Sequence, residues 1–252
     1  LDFLVVVPAR LASTRLPRKP LADIGGVPMV VRVARQAARS GASRVVVAAD
    51  SAEIVQTCRV YGIECMLTST EHTTGTDRIA ETVSQLSVAP ETIVVNVQAD
   101  EPLMPSDVVD RVARLLDERD DCEIATAAHP IDDAAEFFSP DVVKVVVNNR
   151  DRAITFSRAP IPWSRDAFAA GRTALPPGLG ALRHVGLYAY RAAFLFRYPN
   201  LPQPVIEEHE KLEQLRAIAH GVGIAVLRLT EPLPPGVDTP ADLQRMRENF
   251  AS

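Results

Sequence analysis

The stretch Val5–Leu21, reading VVVPARLASTRLPRKPL, constrains the chain most, because an apolar run ends abruptly in a loop crowded with cations. Leu4 to Val7 carry no polar residue, the pattern of a central parallel strand covered on both faces. Pro8 then removes a ladder N–H. Arg10, Arg15, Arg18 and Lys19 follow within ten residues. A buried strand that empties into such a loop sets its charges at the carboxyl edge of a sheet, where open α/β folds take their ligands. Solvation is the ordinary fate of an Arg/Lys cluster. Here Pro17 and Pro20 restrict the backbone and hold the cations in a nearly fixed arrangement, which suits a polyanion such as a triphosphate. The loop is not a Walker A motif, since no glycine precedes Gly25 and no Gly-Lys-Ser/Thr occurs.

Composition narrows the partners. With 252 residues, 47% of them hydrophobic and 23% charged, and a net charge of −5, the chain has an ordinary globular balance, with no sign of disorder or of a nucleic-acid partner. Length alone admits one large α/β domain or two small ones. No apolar run approaches the roughly 20 residues that span a bilayer, and the first residues enter a strand, so no membrane partner and a cytoplasmic location are expected. Cys58, Cys65 and Cys122 are odd in number and lack C-x-x-C spacing, which predicts buried free thiols.

Along the chain, strand and helix alternate as in a doubly wound sheet. Pro28 starts a predicted helix to Arg39, Arg44–Ala49 is a strand, and Ser51 caps a helix that ends near Gly62. Cys65–Leu67 leads into the hydroxyl-rich loop Thr68–Thr76, which reads either as a plain N-cap for the helix Asp77–Leu86 or as N–H groups facing a nucleotide. The strand Ile93–Val97 runs into Gln98-Ala99-Asp100-Glu101-Pro102. Carboxylates at the end of a central strand must be solvated, paired or bound to a cation; Asp100 is the first candidate metal ligand.

After a helix Pro105–Glu118 and a strand Glu123–Ala128 the rhythm changes. Val142–Val147 and Ala153–Phe156 read as an antiparallel hairpin, within a subregion 142–182 that carries Trp163 and a Gly/Pro-rich, mobile segment Ala170–Gly180. This insertion is expected to serve as a lid or dimer arm. Arg183–Arg191 alternates, with Val185, Leu187 and Ala189 on one face and His184, Gly186, Tyr188 and Tyr190 on the other, the latter resembling the wall of a polar pocket. His72, His129, His209 and His220 have no comparable setting. Glu207–His220 is predicted as one amphipathic helix with Glu210, Glu213 and Gln214 inside about one turn. Ile224–Leu229 is a last strand, and Asp238, before the helix Pro240–Asn249, is either a capping acid or a partner for Asp100.

A cationic loop, strand-end aspartates and a polar wall are the parts that nucleotidyl transfer requires. The segments PARLASTRLPRKPL, GTDR, NVQADEP, FSRAPIPW, RHVGLYAYR, LEQLR and GVDTP occur in this order. On them the chain resembles the 3-deoxy-manno-octulosonate cytidylyltransferases, which make CMP-Kdo and pyrophosphate from CTP and Kdo for lipopolysaccharide. The resemblance implies a single cytidylyltransferase domain over 1–252, with a mainly parallel, doubly wound α/β sheet of the nucleotide-diphospho-sugar transferase type. It also implies Mg²⁺ dependence and a cytoplasmic homodimer. By position it gives Ala9, Arg10, Arg15 and Lys19 to CTP, with Thr74, Gly75, Thr76 and Gln98 near the nucleoside. Asp100 and Asp238 resemble the Mg²⁺ ligands, and Lys19 joins them as a catalytic group that stabilises phosphate charge. Arg158, His184, Tyr188, Glu210 and Gln214 resemble the sugar contacts.

Two positions depart from the family pattern: Arg18 stands where Gly is usual, and Ala99 where QGDEP is common. Arg18 would add a charge beside the phosphates; Ala99 would carry strain if its backbone needs positive φ. The alternatives are a cytidylyltransferase for another acidic sugar, such as an acylneuraminate, and a nucleotide-binding regulatory module without chemistry.

Overall fold

Strand β1 (Phe3–Ala9) sits in the middle of the sheet, with Phe3, Val5, Val7 and Ala9 in one core and Leu4 and Val6 in the other. The computed structural model describes residues 1–13 and 15–251. After β1 the cationic loop makes one turn of 3-10 helix at Lys19–Leu21 and a small ribbon of β2 (Asp23–Ile24) and β3 (Val27–Pro28). The expected alternation follows: α1 (Met29–Ala37), β4 (Arg44–Ala49), α2 (Ala52–Val60), β5 (Cys65–Leu67), α3 (Gly75–Gln85), β6 (Ile93–Asn96), α4 (Ser106–Asp117) and β7 (Ile124–Pro130). Ser51 accepts from the Glu53 N–H at the start of α2, and Gly62 takes φ +69° just past its end.

Beyond β7 come α5 (Ala134–Phe138), the hairpin of β8 (Lys144–Val147) and β9 (Ala153–Ser157), α6 (Arg165–Ala170) and β10 (Leu182–Arg191). α7 (Ala192–Arg197), α8 (Val205–Glu210), α9 (Gln214–Ala219), β11 (Ile224–Arg228) and α10 (Pro240–Ala251) complete the chain. The sheet runs β11-β7-β10-β6-β1-β4-β5, with β8 attached to β10 and β9 to β8. β4, β1 and β6 pair in parallel, as do β4 with β5 and β11 with β7, whereas β10 is antiparallel to both its neighbours. Side chains of α1, α2 and α4 fill one core and those of α3, α7 and α9 the other, the two layers of a doubly wound fold. No described helix is long and apolar enough to cross a membrane.

The alternation predicted for β10 holds across an irregularity. Val185 pairs with Ala127, but the next partners are Tyr188 and Thr126, so β10 gains two residues there. Two extra residues preserve the period-2 parity that one would have inverted. Val185, Leu187 and Ala189 therefore stay in one core while Tyr188 and Tyr190 join the other.

One expectation fails. Glu207–His220 is not a single helix: Lys211 takes φ 54°, ψ 46°, and ends α8 after six residues. The break turns Leu212 into the core. Across it the buried Glu207 carboxylate receives two hydrogen bonds from Arg216, at 2.8 and 2.7 Å, and the guanidinium lies 4.5 Å over Tyr198. A bidentate pair of this kind outweighs the roughly 1–2 kcal/mol cost of one left-handed residue. Glu210 and Gln214 therefore do not share a helical turn.

The hairpin is held by a buried cation. The Lys144 residue is 0% exposed, and its ammonium donates to Ser139 O at 2.9 Å, Val142 O at 2.6 Å and Arg158 O at 2.6 Å. All three donors are used, so the charge is solvated by carbonyls; burial nonetheless lowers its pKa. In the stretch expected to be mobile, Leu175 and Leu179 pack against the cluster of Phe137 and Phe168. Lys144→Met removes every donor of the knot while keeping the stem. It should cost about 2–4 kcal/mol in urea unfolding; an unchanged midpoint would show that the carbonyls do not depend on it.

Candidate active site

Because β10 runs against its neighbours, its first residues lie where β1 and β6 end. Arg10, Gln98 and His184 thus meet at one sheet edge, in two adjoining cavities that share Pro8, Arg10 and Gln98. The larger, about 630 Å³, is lined by Ser13, Arg15, Lys19, Asp100 and Asp238; the smaller, about 350 Å³, reaches Arg78, His184, Tyr188 and Gln214.

In the larger cavity the cations and acids interlock. The Lys19 ammonium, 14% exposed, donates to Asp100 Oδ2 at 2.6 Å and Asp238 Oδ1 at 2.9 Å, and Arg15 Nη2 donates to the same Asp238 oxygen at 2.9 Å. The two aspartates are joined through the main chain, the Val237 N–H donating to Asp100 O at 2.8 Å. Val237 is anchored in a small core with Leu16, Ile24 and Leu243. The approach needs Gly236, where a Cβ would come within 2.9 Å of Glu101 Oε1 and 3.1 Å of Asp100 O. The sequence left Asp238 between capping acid and site residue. Capping is done by its neighbours: Asp242 accepts from the Asp238 and Thr239 N–H groups and Thr239 Oγ1 accepts from the Asp242 N–H, so the Asp238 carboxylate is left to the cations.

Burial, and then the charges of Asp100 and Asp238, push the Glu101 carboxyl up to about 8, so it keeps its proton at neutral pH. Among the described residues no three of His, Cys, Asp and Glu converge on a metal position. The side-chain partners of Asp100 and Asp238 are cations. Two carboxylates that bind only cations fit Mg²⁺, which is usually held by one or two carboxylates with phosphate oxygens and water.

The smaller cavity has a neutral wall. Thr126 Oγ1 lies 2.8 Å from Leu187 O and 3.0 Å from His184 Nε2. Leu187 O and Val185 O, the latter 3.1 Å from the same hydroxyl, can only accept, so the hydroxyl proton goes to a carbonyl and the imidazole donates through Nε2–H, an assignment made from the network. Burial drops the His184 pKa to about 3 and raises those of Tyr188 and Tyr190. All three are uncharged at working pH.

The predicted residues divide. Arg10, Arg15, Lys19, Thr74, Gly75, Thr76, Gln98, Asp100, His184, Tyr188, Gln214 and Asp238 line the two cavities. Ala9 does not; it is buried, and its carbonyl accepts from the Asp50 N–H. Arg158 and Glu210 also stand apart. They bind each other, Arg158 N–H donating to Glu210 Oε2 at 2.9 Å and Arg158 Nε–H to Glu210 O at 2.8 Å, while Ser157 holds the other carboxylate oxygen.

Three residues escaped the sequence reading. Glu213 accepts from the Thr76 N–H and hydroxyl at 3.2 and 2.8 Å and from the Gly75 N–H at 3.4 Å. Those donors at the start of α3 are therefore met by a carboxylate of the chain itself, and Thr74 caps the helix through the Asp77 N–H. Arg78 is buried under the same loop beside Thr68 and Asp50. His72, expected to have no special setting, lines the cavity and bonds Glu81. Arg78 stood in the quoted GTDR; the other two had no local signal.

The two departures exchange roles. Ala99 is not in the left-handed region, so its methyl carries no such strain, whereas Arg18 has φ 57° and ψ 32°. Its guanidinium pairs with Glu53 and lines neither cavity.

A family model described as Cytidylyltransferase matches residues 4–224. The 3-deoxy-manno-octulosonate cytidylyltransferase of Leptothrix cholodnii is 53% identical over 249 residues, covering 99% of this chain and 92% of the relative. That of Acidovorax sp. strain JS42 is 54% identical over 252 residues, covering 97% and 96%. The solved structure of CMP:2-keto-3-deoxy-manno-octonic acid synthetase complexed with CTP matches with a TM-score of 0.88 at 38% identity, over 100% of this chain and 99% of that one.

Arg18→Gly relieves a left-handed residue, at about 1–2 kcal/mol, but loses an exposed ion pair and gains unfolded-state entropy of similar total size. Stability should move by less than about 1 kcal/mol in urea, and the KM for CTP by less than about twofold. A KM shift of about tenfold, or 1.4 kcal/mol, would put Arg18 on the phosphates after all.

Proposed function

The chain belongs to the 3-deoxy-manno-octulosonate cytidylyltransferases, and from that premise we propose how its own residues divide the work of the reaction. The enzyme forms CMP-Kdo and pyrophosphate from CTP and Kdo, in lipopolysaccharide biosynthesis. The observation that carries the division is the meeting of Lys19, Asp100 and Asp238 at the carboxyl edge, in a cavity that adjoins one with a neutral, hydroxyl-bearing wall.

The triphosphate of CTP takes the cationic cavity, where Arg10, Arg15 and Lys19 offer donors of matching charge. Thr74, Gly75, Thr76 and Gln98 frame the nucleoside, whereas Ala9, buried and outside both cavities, supports the start of the cationic loop. Kdo takes the neutral wall of the smaller cavity, against His184, Tyr188 and Gln214. Arg158 and Glu210 act on it indirectly, by bracing the end of α8 against the hairpin. The anomeric hydroxyl attacks the α-phosphorus with loss of its proton, a new O–P bond forms, and the bond to the bridging oxygen of pyrophosphate breaks. Lys19 follows the charge that develops on the phosphates. Asp100 and Asp238 would hold Mg²⁺, which when bound neutralises phosphate charge and acidifies a coordinated hydroxyl.

We take residues 1–252 to be one catalytic domain that works as a cytoplasmic homodimer. Free thiols at Cys58, Cys65 and Cys122 support a reducing compartment. Ile154 and Trp163, 54% and 47% exposed, support the hairpin subregion as a dimer arm.

Asp100→Asn should abolish Mg²⁺-dependent pyrophosphate release, by about three orders of magnitude or more, with an unchanged melting temperature; near-normal release would remove Asp100 from the metal. His184→Ala should raise the KM for Kdo about tenfold or more while that for CTP stays within about twofold, as expected for a lost ground-state contact. An unchanged sugar KM would take His184 out of the pocket.

A further inference from the structure

One ammonium bridges both candidate metal ligands. Lys19 Nζ bonds Asp100 Oδ2 at 2.6 Å and Asp238 Oδ1 at 2.9 Å, while Arg15 adds a second cation to Asp238. An Mg²⁺ or Mn²⁺ ion ligated by both aspartates would need their oxygens at about 2.1 Å, in the space that the ammonium fills. Ammonium and metal therefore compete for the same two carboxylates. The carboxylates are already matched by cations, so a divalent ion arriving alone gains little attraction and must displace a bonded charge. A triphosphate changes the balance, because its oxygens give Lys19 and Arg15 other anionic partners at the same cavity.

We propose that Lys19 is an internal counter-ion that withholds Asp100 and Asp238 from free divalent cations and releases them when a nucleoside triphosphate draws its ammonium away. Metal and nucleotide then bind with positive coupling, and by linkage each raises the affinity of the other by the same factor. The inference rests on reading Asp100 and Asp238 as the metal ligands. It makes Lys19 the element that ties metal loading to the presence of a substrate.

The test is Mn²⁺ binding, read as loss of the free-ion EPR signal on metal-stripped full-length enzyme. It is done with and without a CTP analogue whose α–β bridge is a methylene, and corrected for Mn²⁺ held by the analogue alone. Without nucleotide, Lys19→Met should bind Mn²⁺ at least about tenfold tighter than wild type. The double variant Lys19→Met/Asp100→Asn should return to the wild-type level. The analogue should raise Mn²⁺ affinity by a larger factor in wild type than in Lys19→Met, where only direct ligation by phosphate oxygens is left to couple the two. Should Lys19→Met not fold, as judged by its melting curve, Lys19→Gln removes the same charge and carries the same expectation. Equal Mn²⁺ affinity of wild type and the Lys19 variant, or a gain that survives Asp100→Asn, overturns the counter-ion. Failure of the underlying reading looks different: Asp100→Asn in an otherwise wild-type chain would then leave Mn²⁺ binding with the analogue unchanged.

Discussion

Everything at the site depends on one reversed strand. Were β10 parallel like the strands around it, its first residues would lie at the far edge of the sheet and His184 would face away from the cationic loop. Running antiparallel between β6 and β7, it starts at the edge where they finish, and the Tyr188–Asn96 pairing fixes how deep each side chain stands. Its two-residue irregularity at 185–188 does not disturb this, because parity is kept and the hydroxyl-bearing face stays toward the cavity. The hydroxyl-bearing wall is thus a consequence of strand direction, and the cationic cavity of strand ending.

The charged cavity depends on a second constraint, which joins positions 100 and 238. A single main-chain bond from Val237 to Asp100, the seating of Val237 in a small core, and the lack of a side chain at Gly236 bring the two acids to one ammonium. Thr239 and Asp242 then satisfy the start of α10. Two carboxylates this close repel each other. Lys19 and Arg15 offset that repulsion, and Glu101, next in sequence and more deeply buried, escapes it by keeping its proton.

Much of this was legible in the sequence because it rests on local rules. The apolar run ending at Pro8, the cap at Ser51, the alternation of 183–191 and the strand-end acid Asp100 each carry their signal within a few residues. What was not legible depends on partners distant in sequence. The helical period of 207–220 continues through Lys211, and only the buried Glu207–Arg216 pair and the seat of Leu212 make a left-handed residue worthwhile there. Glu213 was legible only as one acid of an amphipathic helix, since nothing nearby announces that it meets the start of α3. Whether Arg18 or Ala99 takes positive φ was not legible for the same reason: it is a property of the folded loop.

The two cavities also differ in how they can discriminate. In the cationic one, recognition is by charge, so affinity there is sensitive to salt and tolerant of detail in the ligand. Along the neutral wall of the other the imidazole is kept uncharged by burial and orientated by Thr126, and the tyrosines keep their protons. A wall of fixed neutral donors and acceptors rejects a ligand that lacks the matching hydroxyl more strongly than charge does, because its buried polar groups are then left unpaired. Glu213 ties together two elements of the smaller cavity. Its carboxylate grips the start of α3 while its neighbour Gln214 lines the same cavity, so α9 and the start of α3 hold that part of the wall as one unit.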